Sequence, residues 1–268
     1  MRYKLMIGLL FLLPVLCLAQ QSSSIQLFDN FNSPWIDPTK WAAVPTCSAT
    51  QFLDTTASLN LVDCIRAIQS NQLHLMVKAY GHVDGDTDRQ FGPAELYFAN
   101  PNAIQTISAT FRIAHSAPTA CPSNPTASFG QVLLAGNFFN IGTGDPKDDV
   151  AVIMIMQRQA TDPKGVAITG AGVFSQNAFY GWVDLGKRNV GETISASISW
   201  NPSGHFVAFR MAGASGIRQG QVSYTVSDVM PPVAPMKVLA ARAFVPNCST
   251  KLTSADMDVY FDDIYTNQ

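Results

Sequence analysis

The chain has 268 residues, of which 47% are hydrophobic, 10% aromatic and only 13% charged, with 18 glycines and 16 prolines. So little charge among so many turn formers excludes a coiled coil, and the aromatic content excludes a disordered chain. Seventeen Lys and Arg against 19 Asp and Glu give a formal charge of −2 with no basic cluster, which excludes a nucleic-acid-binding surface.

At the start of the chain, Arg2 and Lys4 precede an apolar run over 5–18, and Ala19 offers a small residue before Gln20. This is the pattern of an export signal over 1–19, leaving a mature secreted or periplasmic chain over 20–268. Leu16 is too large for the position before a lipid-bearing Cys17, so plain secretion is expected. No later stretch approaches the roughly 18 apolar residues of a membrane-spanning helix.

From there on, β-branched and aromatic residues alternate with polar ones in short runs broken by Gly, Pro, Asn and Asp. The pattern predicts strands over 25–31, 73–80, 95–99, 104–115, 128–137, 150–157 and 165–174, then 178–185, 193–200, 205–211, 221–226, 237–245 and 257–265. Residues 46–61 and 117–127 read as long loops. No linker or repeat interrupts the series, so one monomeric all-β domain is expected, a two-sheet antiparallel sandwich or jelly roll. Four cysteines remain after the signal: Cys47, Cys64, Cys121 and Cys248. None forms a C-x-x-C, which argues against zinc, and an oxidising compartment favours two disulfides. Three pairings are open; the preferred one joins Cys47 to Cys64 and Cys121 to Cys248.

Phe28-Asp29-Asn30-Phe31, followed by Ile36-Asp37-Pro38-Thr39-Lys40-Trp41, resembles the opening of concanavalin A-like lectin and glucanase sandwiches, roughly Asp-x-Phe, a spacer and a Lys-Trp pair. Leu73-His74-Leu75, Ile198-Ser199-Trp200-Asn201-Pro202 and Asp258-Val259-Tyr260-Phe261-Asp262-Asp263-Ile264 are similar to later strands of the same superfamily, in the same order. The resemblance implies a concanavalin A-like jelly roll but no single function, because such folds host lectins, hydrolases, lyases and inert modules. It also implies a structural calcium ion where the first and last strands meet, with Asp29 and Asp262 or Asp263 as ligands.

Glycoside hydrolysis needs two carboxylates, and the laminarinase-type members of that superfamily carry theirs as Glu-x-Asp-x-Glu. This chain has only two glutamates, Glu95 and Glu192, and neither is followed by Asp two positions on. Asp256, Asp258 and Asp262 fall on one face of the last strand by period-two counting, as an Asp-based pair or as a solvated face. Asp84-x-Asp86-x-Asp88 with Glu95 imitates a calcium loop, but Arg89 stands where such a loop needs Gly, so a polar turn is expected. Gly144-Asp145-Pro146-Lys147-Asp148-Asp149 reads as a tight charged turn. A lyase would draw on Arg112, His115, Tyr97, Tyr180, His205 and Arg210, though no spacing brings them together. The nearest approach to a nucleophile elbow, Gly213-Ala214-Ser215-Gly216, lacks its spacing.

Binding remains. Sugar-binding sandwiches stack a ring on an exposed aromatic and flank it with amides and carboxylates. Trp182 with Tyr180 is the first candidate platform; Gln176, Asn177 and Asn137 are the candidate hydrogen-bonding partners, and Trp41 and Trp200 are expected in the core. The sequence thus reads as a secreted, non-catalytic protein that binds carbohydrate or another extracellular molecule. The alternatives are a lyase or Asp-based hydrolase of the same fold, and a structural envelope or matrix protein.

Overall fold

A computed structural model describes residues 24–42, 62–83 and 89–268, with backbone alone at 89 and 90. The signal segment, Cys47, the 46–61 loop and Asp84, Asp86 and Asp88 lie outside the described residues. The described strands form two antiparallel sheets, one of eight strands and one of six. The larger holds β1 (Gln26–Asp29), β2 (Val62–Gln69), β3 (Gln72–Tyr80), β5 (Thr106–His115), β10 (Thr193–Asn201), β11 (Phe206–Gly213), β12 (Gly216–Ser223) and β14 (Ser254–Thr266). Its order is β12-β11-β10-β5-β14-β3-β2, with β1 also paired to β14. The smaller holds β4 (Arg89–Tyr97), β6 (Phe129–Asn140), β7 (Asp149–Gln159), β8 (Val166–Phe174), β9 (Phe179–Asn189) and β13 (Lys237–Pro246), in the order β4-β13-β6-β7-β8-β9. This is the expected two-sheet antiparallel jelly-roll sandwich.

Alternation along each strand explains how the layers meet. In β7, Val150, Val152, Met154 and Met156 enter the core between the sheets, while Ile153 and Ile155 pack on the other side. In β14, Ala255, Met257, Val259 and Phe261 are buried, and Asp256, Asp258, Tyr260 and Asp262 alternate with them. Among the described residues no helix is long and apolar enough to cross a membrane.

Three strands depart from the expected pattern, and all three lie at sheet edges. β2 was not expected at all; its inward positions run Val62, Cys64, Arg66 and Ile68, so a cation interrupts the apolar alternation. β4 starts at Arg89 rather than 95, because Gly92 and Pro93, which read as breakers, are tolerated where one side of the strand has no partner. β12 spans Gly216–Ser223 rather than 221–226, and its polar, exposed residues carry little periodic signal.

The Asp-x-Phe and Lys-Trp pairs turn out to be one packing unit. The Trp41 indole, 1% exposed, donates from Nε1 to Asp29 Oδ2 at 2.7 Å. Phe31 donates its backbone N–H to Asp29 Oδ1 at 2.9 Å, and its ring stacks on Trp41 at 5.7 Å. Because β1 pairs with β14 while Trp41 bridges to Phe98 beyond β4, this unit ties the two sheets together at the start of the described fold. The Cys121–Cys248 disulfide, with a Cα–Cα distance of 5.7 Å, joins the loop after β5 to the connection between β13 and β14, as expected. A bridge enclosing that much chain contributes roughly 4–5 kcal/mol in the chain-entropy model. Cys64 is also disulfide-bonded, and its expected partner Cys47 lies outside the described residues.

Lys237 is the unexpected core member. It is 1% exposed, its Nζ donates to Pro101 O at 2.7 Å and Asn137 O at 3.1 Å, and it lies over the Phe138 ring. Burial disfavours the ammonium and pushes its pKa down to about 7, from 10.5.

Two stability predictions follow from these contacts. Asp29→Ala leaves the buried Trp41 N–H without its acceptor and lowers unfolding free energy by about 1–3 kcal/mol in denaturant titrations. Lys237 binds fewer protons folded than unfolded between its two pKa values, so stability rises as pH climbs from about 7 towards 10.5 and levels off below 7, where both states are protonated. Lys237→Met flattens that part of the pH–stability curve.

Candidate functional site

The outer face of the six-stranded sheet has its own chemistry, separate from the core. Leu133, Ala135, Val238 and Ala240 form a buried aliphatic floor, with Tyr97, Ile153 and Ile155 packed against it. On one side, the rings of Phe91, Phe244 and Phe129 form a ladder, tilted between the first two at 4.7 Å and stacked between the last two at 4.5 Å. Between ladder and floor runs a polar row, since Arg242, Gln131 and Gln157 sit in direct register on β13, β6 and β7. Gln131 Nε2 donates to Gln157 Oε1 at 3.2 Å. Arg242 donates to Glu95 Oε1 from Nε at 2.9 Å and Nη2 at 2.7 Å, and Tyr97 donates its hydroxyl to Glu95 Oε2. Burial, and then the Glu95 carboxylate, push the Tyr97 hydroxyl well above the usual tyrosine range, so it holds its proton.

At the other edge lies Trp182. Ala167, Ala171 and Val173 of β8 point into the core, which turns Ile168, Gly170 and Gly172 outward. A Cβ at Gly170 would lie 2.3 Å from Trp182 Cζ2, and one at Gly172 would lie 2.6 Å from Cε3. The indole therefore rests across the bare backbone of two outward positions, with Gly172 its direct cross-strand partner. One ring face lies against the sheet, and Trp182 is 47% exposed. A groove of about 480 Å³ opens beside it, lined by Ile155, Ile168, Asp184 and Lys187. Glycines two apart inside a strand mark such a close approach, and that is the signal in the sequence that points to this bed.

The other expected ligand residues do not join Trp182. Tyr180 packs against the core with its hydroxyl buried and unpartnered, because it is the extra β9 residue opposite the step from Val173 to Phe174 on β8, which turns it away from the face of Trp182. Gln176 and Asn177 lie in the β8–β9 loop, where Asn177 Nδ2 donates to Asp148 Oδ1 at 2.8 Å. Asn137 Nδ2 donates to Ala234 O at 2.8 Å. Trp200 is half-buried, stacked on Phe139 at 5.4 Å, and donates to the Tyr224 hydroxyl at 2.6 Å.

The expected calcium ligands do not fit a cation site. Both Asp29 oxygens accept N–H bonds, and the Lys40 ammonium lies 4.0 Å away. Asp262 accepts from the Asp263 N–H at 2.8 Å and from Gln72 at 3.5 Å. Among the described residues, no group of three or more His, Cys, Asp or Glu side chains is placed to hold a metal. In the 144–149 turn, Asp145 caps the Lys147 N–H, and Asp149 accepts from Val233, Ala234 and Asn140. Hydrogen bonds from Asn177 and then Thr143 hold the Asp148 carboxyl below its usual range.

Asp256, Asp258 and Asp262 do share one strand face, but each has a partner. Asp258 meets His74 Nε2 at 2.8 Å, and Asp256 meets His115 Nδ1 at 2.5 Å and accepts from Ala117 N at 2.7 Å. The candidate lyase groups are dispersed: Arg112, His115 and Arg210 belong to strands of the eight-stranded sheet, His205 to the turn before β11, and Tyr97 to the far edge of the other sheet.

No protein-family model and no curated protein matches the chain. Solved structures of concanavalin A-like jelly-roll proteins do resemble it. Lectin I from Ulex europaeus, in complex with the methyl glycoside of α-L-fucose, is 13% identical over 91% of this chain and 98% of its own, with a TM-score of 0.42. The winged bean acidic lectin complexed with methyl-α-D-galactose is 10% identical over 91% and 98%, with a TM-score of 0.41. A GlcNAcα1-4Gal-releasing endo-β-galactosidase from Clostridium perfringens is 9% identical over 89% of this chain and 61% of its own, with a TM-score of 0.44. These likenesses are distant, and the fold rests on the strand order and register described above.

Gly172→Val places a side chain where the Trp182 ring lies, while suiting a strand backbone. The ring must lift, and acrylamide quenching of the Trp182 fluorescence, isolated by difference from Trp182→Phe, increases.

Proposed function

We propose that this protein is a non-catalytic carbohydrate-binding protein, exported through its N-terminal signal, that stacks a sugar ring on Trp182. The observation that carries this reading is the indole laid on Gly170 and Gly172 beside an open groove. A pyranose offers apolar C–H groups to such a face and hydroxyls to its rim, here Asp184 and Lys187. Catalysis has less support on this face. The outward positions of β7 are Ala151, Ile153 and Ile155 before Gln157, Glu95 is held by Arg242, and Tyr97 is pushed away from the pKa of a base. The exposed side chains of Ile168 and Trp182 favour a second reading, in which this edge of the face receives an apolar surface of a protein partner in an envelope or matrix.

The test is a glycan array with the purified mature protein, with product masses read alongside binding. A defined glycan is retained intact, and Trp182→Ala weakens it about tenfold, as expected for one ring contact of about 1–1.5 kcal/mol. Cleaved products, or undiminished binding by Trp182→Ala, overturn the proposal. Silence on every glycan favours the protein-partner reading.

A further inference from the structure

On the eight-stranded sheet, register sets four polar side chains in one straight row across four strands: Ser108 on β5, Ser197 on β10, Arg210 on β11 and Gln219 on β12. The next row along places Thr106, Ser199, Ala208 and Gln221 in the same way, with the Thr106 and Ser199 hydroxyls 2.9 Å apart. A depression of about 480 Å³ lies over these rows, lined by Ser197, Ser199, Ala208, Arg210, Gln219 and Gln221.

Arg210 is exposed and has no hydrogen-bond or ion-pair partner among the described residues. None of β5, β10, β11 and β12 contains an aspartate or glutamate to neutralise it. Its neighbours along the strand are Ala208 and Ala212, so nothing bulky shields the guanidinium from a ligand lying on the sheet. Arg218 on β12 is no second charge in this depression, since its guanidinium lies toward Gly186 of β9.

We propose that this face carries a second binding site, for a saccharide bearing an oxyanion (a uronate carboxylate or a sulfate ester), with Arg210 on the charged group. The planar guanidinium fork matches either oxyanion in a bidentate manner. The serine hydroxyls and glutamine amides around it both donate and accept, which suits the hydroxyls of a sugar ring. One cation set among neutral polar groups fits one anionic group per contact, whereas a nucleic acid needs a basic cluster. The site lies on the sheet opposite Trp182 and does not rest on the Trp182 reading.

The purified protein is titrated calorimetrically with an oligouronate, a sulfated oligosaccharide and the matched neutral oligosaccharide, at low and high salt. At least one anionic saccharide binds about tenfold or more tightly than the neutral one, and added salt weakens it. Which of the two binds tells a carboxylate from a sulfate. Arg210→Gln, at an exposed position that leaves the circular dichroism unchanged, lowers that affinity to the neutral level, whereas Trp182→Ala leaves it as it was. Undiminished binding by folded Arg210→Gln, no binding of either anionic saccharide, or equal competition by inorganic phosphate or an oligonucleotide overturns the proposal. Loss on Trp182→Ala with Arg210→Gln unaffected also overturns it, while leaving the first site standing.

Discussion

The central strands of this sandwich commit alternate side chains to the space between the sheets, and that constraint governs the rest of the structure. It makes the inner faces interchangeable in kind: valine, leucine, methionine, alanine and phenylalanine recur on both. It leaves the outer faces free to differ, and they differ sharply. The six-stranded face is aromatic and aliphatic with a polar row, whereas the eight-stranded face carries serine and threonine hydroxyls, carboxylate–imidazole pairs and an unpaired arginine. Function on this fold is decided outside the core.

The inner alternation was legible in the sequence because burial imposes it, and so most central strands fall where they were expected. Edge strands β2, β4 and β12 were not legible to the same degree, since a strand bonded on one side can carry Arg66, Pro93 or Gln219 without loss. Asp29, Phe31 and Trp41 were legible as a pattern, but their purpose was not. Asp29 alone of the three read as a cation ligand, and with Phe31 and Trp41 it forms a buried indole–carboxylate contact that pins the start of the fold.

The candidate site was half legible. The aromatic run Phe179-Tyr180-Gly181-Trp182 drew attention to Trp182, yet its bed is made by Gly170 and Gly172, ten and twelve residues earlier, and only strand register brings the three together. Tyr180, close by in sequence, was expected beside it, and a bulge sends it to the core. The polar row from Glu95 through Arg242 to Gln131 and Gln157 draws on four strands distant in sequence, so nothing local announces it. Sites built across a sheet depend on pairing order, which periodicity alone does not encode.

The central claim is that the upward face of Trp182 is where ligand lies. It is tested most directly by following the indole N–H resonances of Trp35, Trp41, Trp182 and Trp200 by NMR while a retained glycan is titrated in. The account predicts that the Trp182 resonance shifts with saturation, while those of buried Trp41 and of Trp200, bound to Tyr224, stay in place. A saturating titration that leaves Trp182 unmoved, with shifts confined to another tryptophan or another face, would contradict it.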